Sequence, residues 1–119
     1  TEEQALRMSA SFGGGIGRMR QTCGAACGMF LLAGLEKGAV DGKDREGKAA
    51  NYALVQELAE EFKKRNGSMI CAELLGLKKP EGSSTPEART EQYYAKRPCA
   101  KMVEEAATIW AEYLEKQQE

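Results

Sequence analysis

The stretch GGGIGRMRQTCGAACGMFLLAGLE, residues 13–36, carries the two signals that decide the fold. Four glycines in the five positions Gly13 to Gly17 cannot hold a helix cheaply, because glycine loses the most backbone freedom on ordering. A helix arriving from Thr1 should stop there. Beyond it, Gln21 to Leu35 is the longest run without a charge. Its residues Ala25, Ala26, Met29, Phe30, Leu31, Leu32, Ala33 and Leu35 are apolar on nearly every side of a helix. A helix of that kind, over about 21–36, belongs in the middle of a bundle. Gly24 and Gly28, one turn apart, predict a smooth strip where another helix backbone can approach closely, and Gly34 and Gly38 punctuate its end.

The flanking sequence is helical too. Thr1 and Gln4 have the spacing of a capping box, and Ala5, Leu6, Met8 and Phe12 offer an apolar face for a first helix. Ala50, Leu54, Val55, Leu58, Ala59 and Phe62 follow the 3.6-residue period and predict a third helix from about Asp44 to Arg65. Gly67 suits a left-handed residue at its C-terminus, and Ser68 is expected to cap a short helix carrying Cys71, Leu74 and Leu75 before Gly76. The segment Lys78 to Arg89, with Pro80, Gly82, Ser83, Ser84 and Pro86, reads as a flexible loop. Pro98 opens a last helix to about Leu114, with Met102, Val103, Ala106, Ile109, Trp110 and Tyr113 as its buried stripe. No alternating strand pattern of useful length appears. The expected fold is all-α, a compact bundle of four to five helices around a buried central Gly/Ala-rich helix.

Length and charge narrow the function. The 119 residues suit one domain spanning 1–119. Seventeen basic residues against eighteen acidic ones leave a net charge of −1, without the basic surplus that nucleic-acid binding needs. No apolar run approaches the ~20 residues of a bilayer span, so neither nucleic acid nor membrane is expected as a partner. The chain starts at Thr1 without a methionine and shows no signal peptide; it reads as a fragment or processed chain, with a cytoplasmic location expected.

Four cysteines, Cys23, Cys27, Cys71 and Cys99, are the compositional surprise. In a reducing compartment they point to catalytic, redox-sensing or metal-binding chemistry rather than to structural disulfides. The absence of histidine excludes a Cys-His dyad, His-ligated zinc and Cys-x-x-Cys-His haem attachment. Cys23, Cys71 and Cys99 each fall at an expected helix start, where unpaired amides favour thiolate over thiol. Arg18, Arg20 and Arg97 lie close in sequence to Cys23 or Cys99 and are expected to favour the thiolate further. Cys23 and Cys27, spaced i, i+4, lie on one helix face, a spacing that suits two ligands on one metal better than a disulfide. A redox bridge would more naturally join Cys23 to Cys71 or Cys99. The plainer alternative is a buried, inert thiol, and it weighs most for Cys27 between Ala26 and Met29.

Other features carry less chemistry. The glycine loop lacks the last glycine of a Gly-x-Gly-x-x-Gly fingerprint and no strand precedes it, so a dinucleotide site is rejected. It reads as a tight turn, with a weaker alternative in which its amides, Arg18 and Arg20 form an anion site near Cys23. Trp110, Phe62 and Phe30 are expected in the core. Tyr93 and Tyr94 are expected to pack partly at the surface, or to wall a cleft before Arg97-Pro98-Cys99. Glu60-Glu61 and Glu104-Glu105 read as solvated helix faces.

Gly13-Gly14-Gly15-Ile16-Gly17-Arg18-Met19, Cys23-Gly24-Ala25 with Gly28, Gly34-Leu35, Cys71 with Leu74-Leu75-Gly76, and Arg97-Pro98-Cys99 together resemble a family of small bacterial and archaeal helical proteins. That family is named for its C…GCAxxG…C…C motif and presumed to be redox-active. The resemblance covers almost the whole chain. It implies that Cys23, Cys71 and Cys99 are the functional cysteines. The family name sets a cysteine after the first motif glycine, whereas Cys23 precedes Gly24. The family's leading cysteine has no counterpart here, as expected if an upstream helix is missing, and Cys27 falls at a variable position.

Three functions follow as expectations. The first is thiol–disulfide redox chemistry with Cys23 attacking, Cys71 or Cys99 resolving, and a redox partner protein. The second is a zinc or iron–sulfur site with Cys23, Cys27, Cys71 and Cys99 as thiolate ligands. The third is a non-catalytic helical interaction module with inert cysteines and no cofactor.

Overall fold

Thr1 opens the first helix, α1 (Glu2–Ala10). Its hydroxyl accepts from the Gln4 amide at 3.2 Å while the Gln4 side chain accepts from the Thr1 amino group at 3.0 Å, so the capping box is formed. Its apolar residues, however, find no partner among the described residues: α1 buries none of them, and Leu6 and Met8 stay exposed. Residues 1–77, 86, 90 and 98–118 are described by the computed structural model. The loop expected over 78–89, Pro86 apart, and the placements expected for Tyr93, Tyr94 and Arg97 lie outside them.

Three long helices build the core. The second, α2 (Gly24–Lys37), faces α3 (Arg45–Asn66) and α5 (Cys99–Gln117), and the short α4 (Cys71–Leu74) lies between the last two in sequence. Ala26, Met29 and Ala33 of α2 meet Leu54, Leu58 and Phe62 of α3 and Met102, Ala106 and Ile109 of α5. Phe62 and Met29 are enclosed completely or nearly so. Trp110 and Tyr113 pack against this cluster from α5, their ring centroids 5.1 Å apart, and Phe30 joins from α2. The fold is an all-α bundle; among the described residues the only extended pairing is an isolated antiparallel bridge, Thr22 to Ile70. No helix there is long and apolar enough to cross a membrane.

Helix ends follow local chemistry. The Asp44 carboxylate accepts from the Gly47 amide at 2.9 Å to start α3, and Gly67, at φ 87°, ends it in the left-handed conformation that a side chain would strain. Ser68 does not cap α4 as expected. Its hydroxyl accepts from the Ile70 amide at 3.0 Å and bonds Glu73, which turns the chain toward α4, while Ile70 holds the N-cap position.

Three expectations for the central helix need correction. It begins at Gly24 rather than near Gln21, because residues 21–23 are drawn into the bridge with Ile70. It is not enclosed on every side: Leu32 is half exposed and Leu35 is 82% exposed, since packing against two long helices leaves one flank open. The small-residue strip is used at one glycine only. A Cβ on Gly24 would sit 2.7 Å from the Phe12 carbonyl oxygen, an approach by the loop rather than by a helix, whereas nothing lies within 4 Å of one on Gly28.

Emptying the centre of the three-helix core should cost far more than trimming the open flank. Phe62→Ala is expected to lower unfolding stability by about 3–5 kcal/mol, and Leu35→Ala to stay within about 0.5 kcal/mol. Urea denaturation of both variants checks the contrast.

Candidate thiol site

The site is built by the glycine loop. From Gly14 to Arg18 every residue has positive φ: Gly14 65°, Gly15 73°, Ile16 66°, Gly17 56° and Arg18 62°; Arg20 follows at 61°. Left-handed backbone costs a residue with a Cβ roughly 1–2 kcal/mol, and a β-branched Ile16 is the least suited of all. The conformation is held by its own hydrogen bonds. Amides of Ile16, Gly17, Arg18, Met19, Arg20 and Gln21 donate to carbonyls of Phe12, Ser11, Gly13, Ile16, Gly14 and Gly15 respectively. Those six amides are therefore engaged within the loop itself.

The coil delivers an extended segment beside the start of α4. Cys23 donates its amide to the Met69 carbonyl at 2.7 Å, Cys71 to Gln21 at 2.6 Å, and Ala72 to Arg20 at 3.2 Å. Around the Thr22–Ile70 bridge, Cys23 and Cys71 are diagonal neighbours on one side of the paired backbones. Such neighbours lie roughly 7–8 Å apart between Cα atoms, somewhat less between Cβ atoms. A disulfide spans Cα separations up to about 6.8 Å. Gly15 packs beneath: a Cβ there would sit 2.5 Å from the Cys71 Cβ and 2.7 Å from the Gln21 nitrogen.

Cys23 is the N-cap residue of α2 and half-buried; Cys27 and Cys71 are buried, and Cys99, first residue of α5, is exposed. None of them is in a disulfide. Burial pushes the Cys23 thiol above its ordinary value of 9.0, outweighing the amides of Ala26 and Ala25, which pull the other way without making a side-chain cap bond. Negative charge on Cys71 and on Cys99 raises it further. Cys27 is pushed up as well, by burial first and then by charge on Cys23. The expectation that a helix start makes Cys23 a ready thiolate is thus overturned. A helix terminus contributes about 0.3–1 kcal/mol at the surface, and desolvation of a half-buried sulfur exceeds it.

Arg20 meets a cysteine sulfur, and the partner is not its sequence neighbour. Arg20 is 1% exposed, and its Nη1 donates toward the Cys71 Sγ at 3.7 Å, across 51 residues of sequence. No pattern in the sequence marks that contact, because it depends on the coil of the loop and on the bridge. A cleft of about 590 Å³ opens between the end of α3, α4 and the start of α5, lined among others by Arg65, Ser68, Glu73 and Lys101; none of the four cysteines lines it. The exposed Arg65 there is held by Glu61 and Glu112.

Residues 1–113 match the family described as "putative redox-active protein (C_GCAxxG_C_C)". The chain belongs to that family. No match is found among curated proteins or among solved structures. Redox-active cysteines are thus the family's common description, and the geometry bears on how such cysteines can act. A zinc or iron–sulfur centre needs three or four converging ligands. Among the described residues no group of three or more Cys, Asp or Glu side chains is placed to hold a metal ion. Cys23, Cys27, Cys71 and Cys99 do not form such a group among the described residues.

Two outcomes follow for this site. Gly15→Ala adds a methyl group against Cys71 on a left-handed backbone, and is expected to cost about 2–4 kcal/mol in chemical denaturation. Raised thiols also link stability to alkaline pH. Cys23 and Cys27 are neutral in the folded chain above the pH at which they ionise in the unfolded one, so their contribution is whole below about pH 9 and declines as pH rises beyond it. Thermal melts from pH 7 to 10.5 should show that decline, and Cys23→Ala should reduce its slope.

Proposed function

We propose that this chain performs thiol–disulfide exchange, with Cys23 and Cys71 as the exchanging pair. The observation that carries the reading is the Thr22–Ile70 bridge, which sets the two cysteines diagonally on one side of the same hydrogen-bonded backbone pair. Membership of a family described as redox-active supports it. Cys23, the more accessible of the two, is the point of attack, and the buried Cys71 resolves.

In the reducing direction, the Cys23 thiolate attacks one sulfur of an external disulfide R–S–S–R′, forming a Cys23–S–S–R bond and releasing R′–S⁻. The Cys71 thiolate then attacks Cys23 Sγ, closing the Cys23–Cys71 disulfide and releasing R–S⁻. Two electrons pass from the cysteine pair to the external disulfide, and the two thiol protons pass to solvent or to the released thiolates. Because burial keeps Cys23 largely protonated at neutral pH, exchange should accelerate as pH rises. A cytoplasmic setting and a redox partner protein that presents such a disulfide belong to this reading. Cys99, exposed and near enough for its charge to act on Cys23, is not the resolving thiol in this reading.

The test is a redox titration followed by peptide mapping. The native chain should show one reversible two-electron couple with Cys23 linked to Cys71 in the oxidised form. Cys23→Ser should abolish that couple, and Cys71→Ser should accumulate a mixed disulfide on Cys23. A midpoint potential that survives Cys23→Ser overturns the proposal.

A further inference from the structure

We infer that Arg20 acts as the thiolate-holding residue for Cys71, so that Cys71 is the sulfur that leaves when the Cys23–Cys71 disulfide is reduced. The inference rests on the exchange pair proposed above. Its basis is the meeting of an almost fully enclosed guanidinium with a buried sulfur, Nη1 to Sγ 3.7 Å.

The contact is constructed rather than incidental. Arg20 has a left-handed backbone at φ 61°, a conformation that an arginine adopts at a cost. Its amide is tied to the Gly14 carbonyl and its carbonyl accepts from Ala72, the residue after Cys71. Both ends of the contact are thereby fixed to each other through the backbone. Gly15 presses on the Cys71 Cβ from beneath and limits where that side chain can go. A long, flexible side chain held in this way loses little further entropy on meeting the sulfur, and charge-assisted contacts in a buried place are stronger than those in water.

The chemistry depends on the state of Cys71. Against a thiol, the guanidinium meets a neutral dipole. Against a thiolate it meets a full opposite charge. Within a disulfide, Sγ carries no charge and the attraction is gone. Arg20 therefore stabilises the reduced, ionised form of Cys71 selectively, which makes the couple more oxidising. It also directs the break: an external thiolate R–S⁻ attacks Cys23 Sγ, the Cys23–Cys71 bond opens, R–S–S–Cys23 forms, and the electron pair leaves on Cys71 Sγ beside Arg20. A second R–S⁻ then attacks the sulfur of R, releases R–S–S–R, and leaves Cys23 as a thiolate that takes a proton from solvent.

The experiment compares the native chain with Arg20→Gln and Arg20→Lys. The equilibrium against a reference dithiol should shift about tenfold toward the disulfide in Arg20→Gln, about 30 mV lower in potential, with a similar fall in the rate of reduction by a monothiol. Arg20→Lys, which keeps the charge, should recover most of both. An unchanged potential in folded Arg20→Gln overturns the inference. In the native chain, the monothiol 2-mercaptoethanol, trapped during reduction, should be found on Cys23 with the free thiol on Cys71. Trapping on Cys71 overturns the inference without any variant. Failure of a Cys23–Cys71 disulfide to form on oxidation overturns the exchange reading itself, and this inference with it.

Discussion

Three backbone hydrogen bonds, from Cys23 to Met69, from Cys71 to Gln21 and from Ala72 to Arg20, tie the approach to α2 to the approach to α4. Everything at the thiol site depends on this seam. It decides that α2 begins at Gly24, it sets Cys23 and Cys71 on one side of a shared backbone pair, and it turns Arg20 toward a cysteine 51 residues away. Backbone bonds of this kind suit a redox site. Their geometry depends little on which side chains are charged, so the thiols can change state while their supports stay in place.

The seam exists because the glycine loop can coil the wrong way. Five consecutive residues with positive φ make a left-handed turn that ordinary sequence avoids, and three glycines among them make it affordable. Ile16 and Arg18 share the same conformation without that freedom. Six amide–carbonyl bonds within the loop, together with contacts from Gly15 to Cys71 and from Gly24 to Phe12, over-determine their backbone. Strain is thus concentrated in the segment that leads to Cys23, while the three-helix core of Met29, Phe62 and Ile109 carries the stability.

Electrostatics at the site runs against the simplest expectation for cysteines at helix starts. The open amides of α2 do favour a Cys23 thiolate, yet burial of the sulfur and negative charge on neighbouring cysteines prevail. Of the three arginines close in sequence to Cys23 or Cys99, Arg20 reaches Cys71. Cys23 and Cys71 consequently differ in environment, the first half-buried at the edge of the core, the second enclosed beside Arg20.

The sequence by itself determined the helical class, the three long helices to within about three residues at most ends, the Thr1–Gln4 capping box, the left-handed Gly67, the break at the glycine loop and membership of the cysteine-motif family. These are matters of period, composition and local hydrogen bonding, and each is written within a few residues. The tertiary structure alone decided that α1 contributes nothing to the core, that Leu35 lies exposed, that Ser68 turns the chain instead of capping α4, and that Arg20 meets Cys71. An apolar face predicts that something is covered only when a partner is within reach. A sulfur's ionisation likewise depends on how much water remains around it, and both are set by segments distant in sequence coming together.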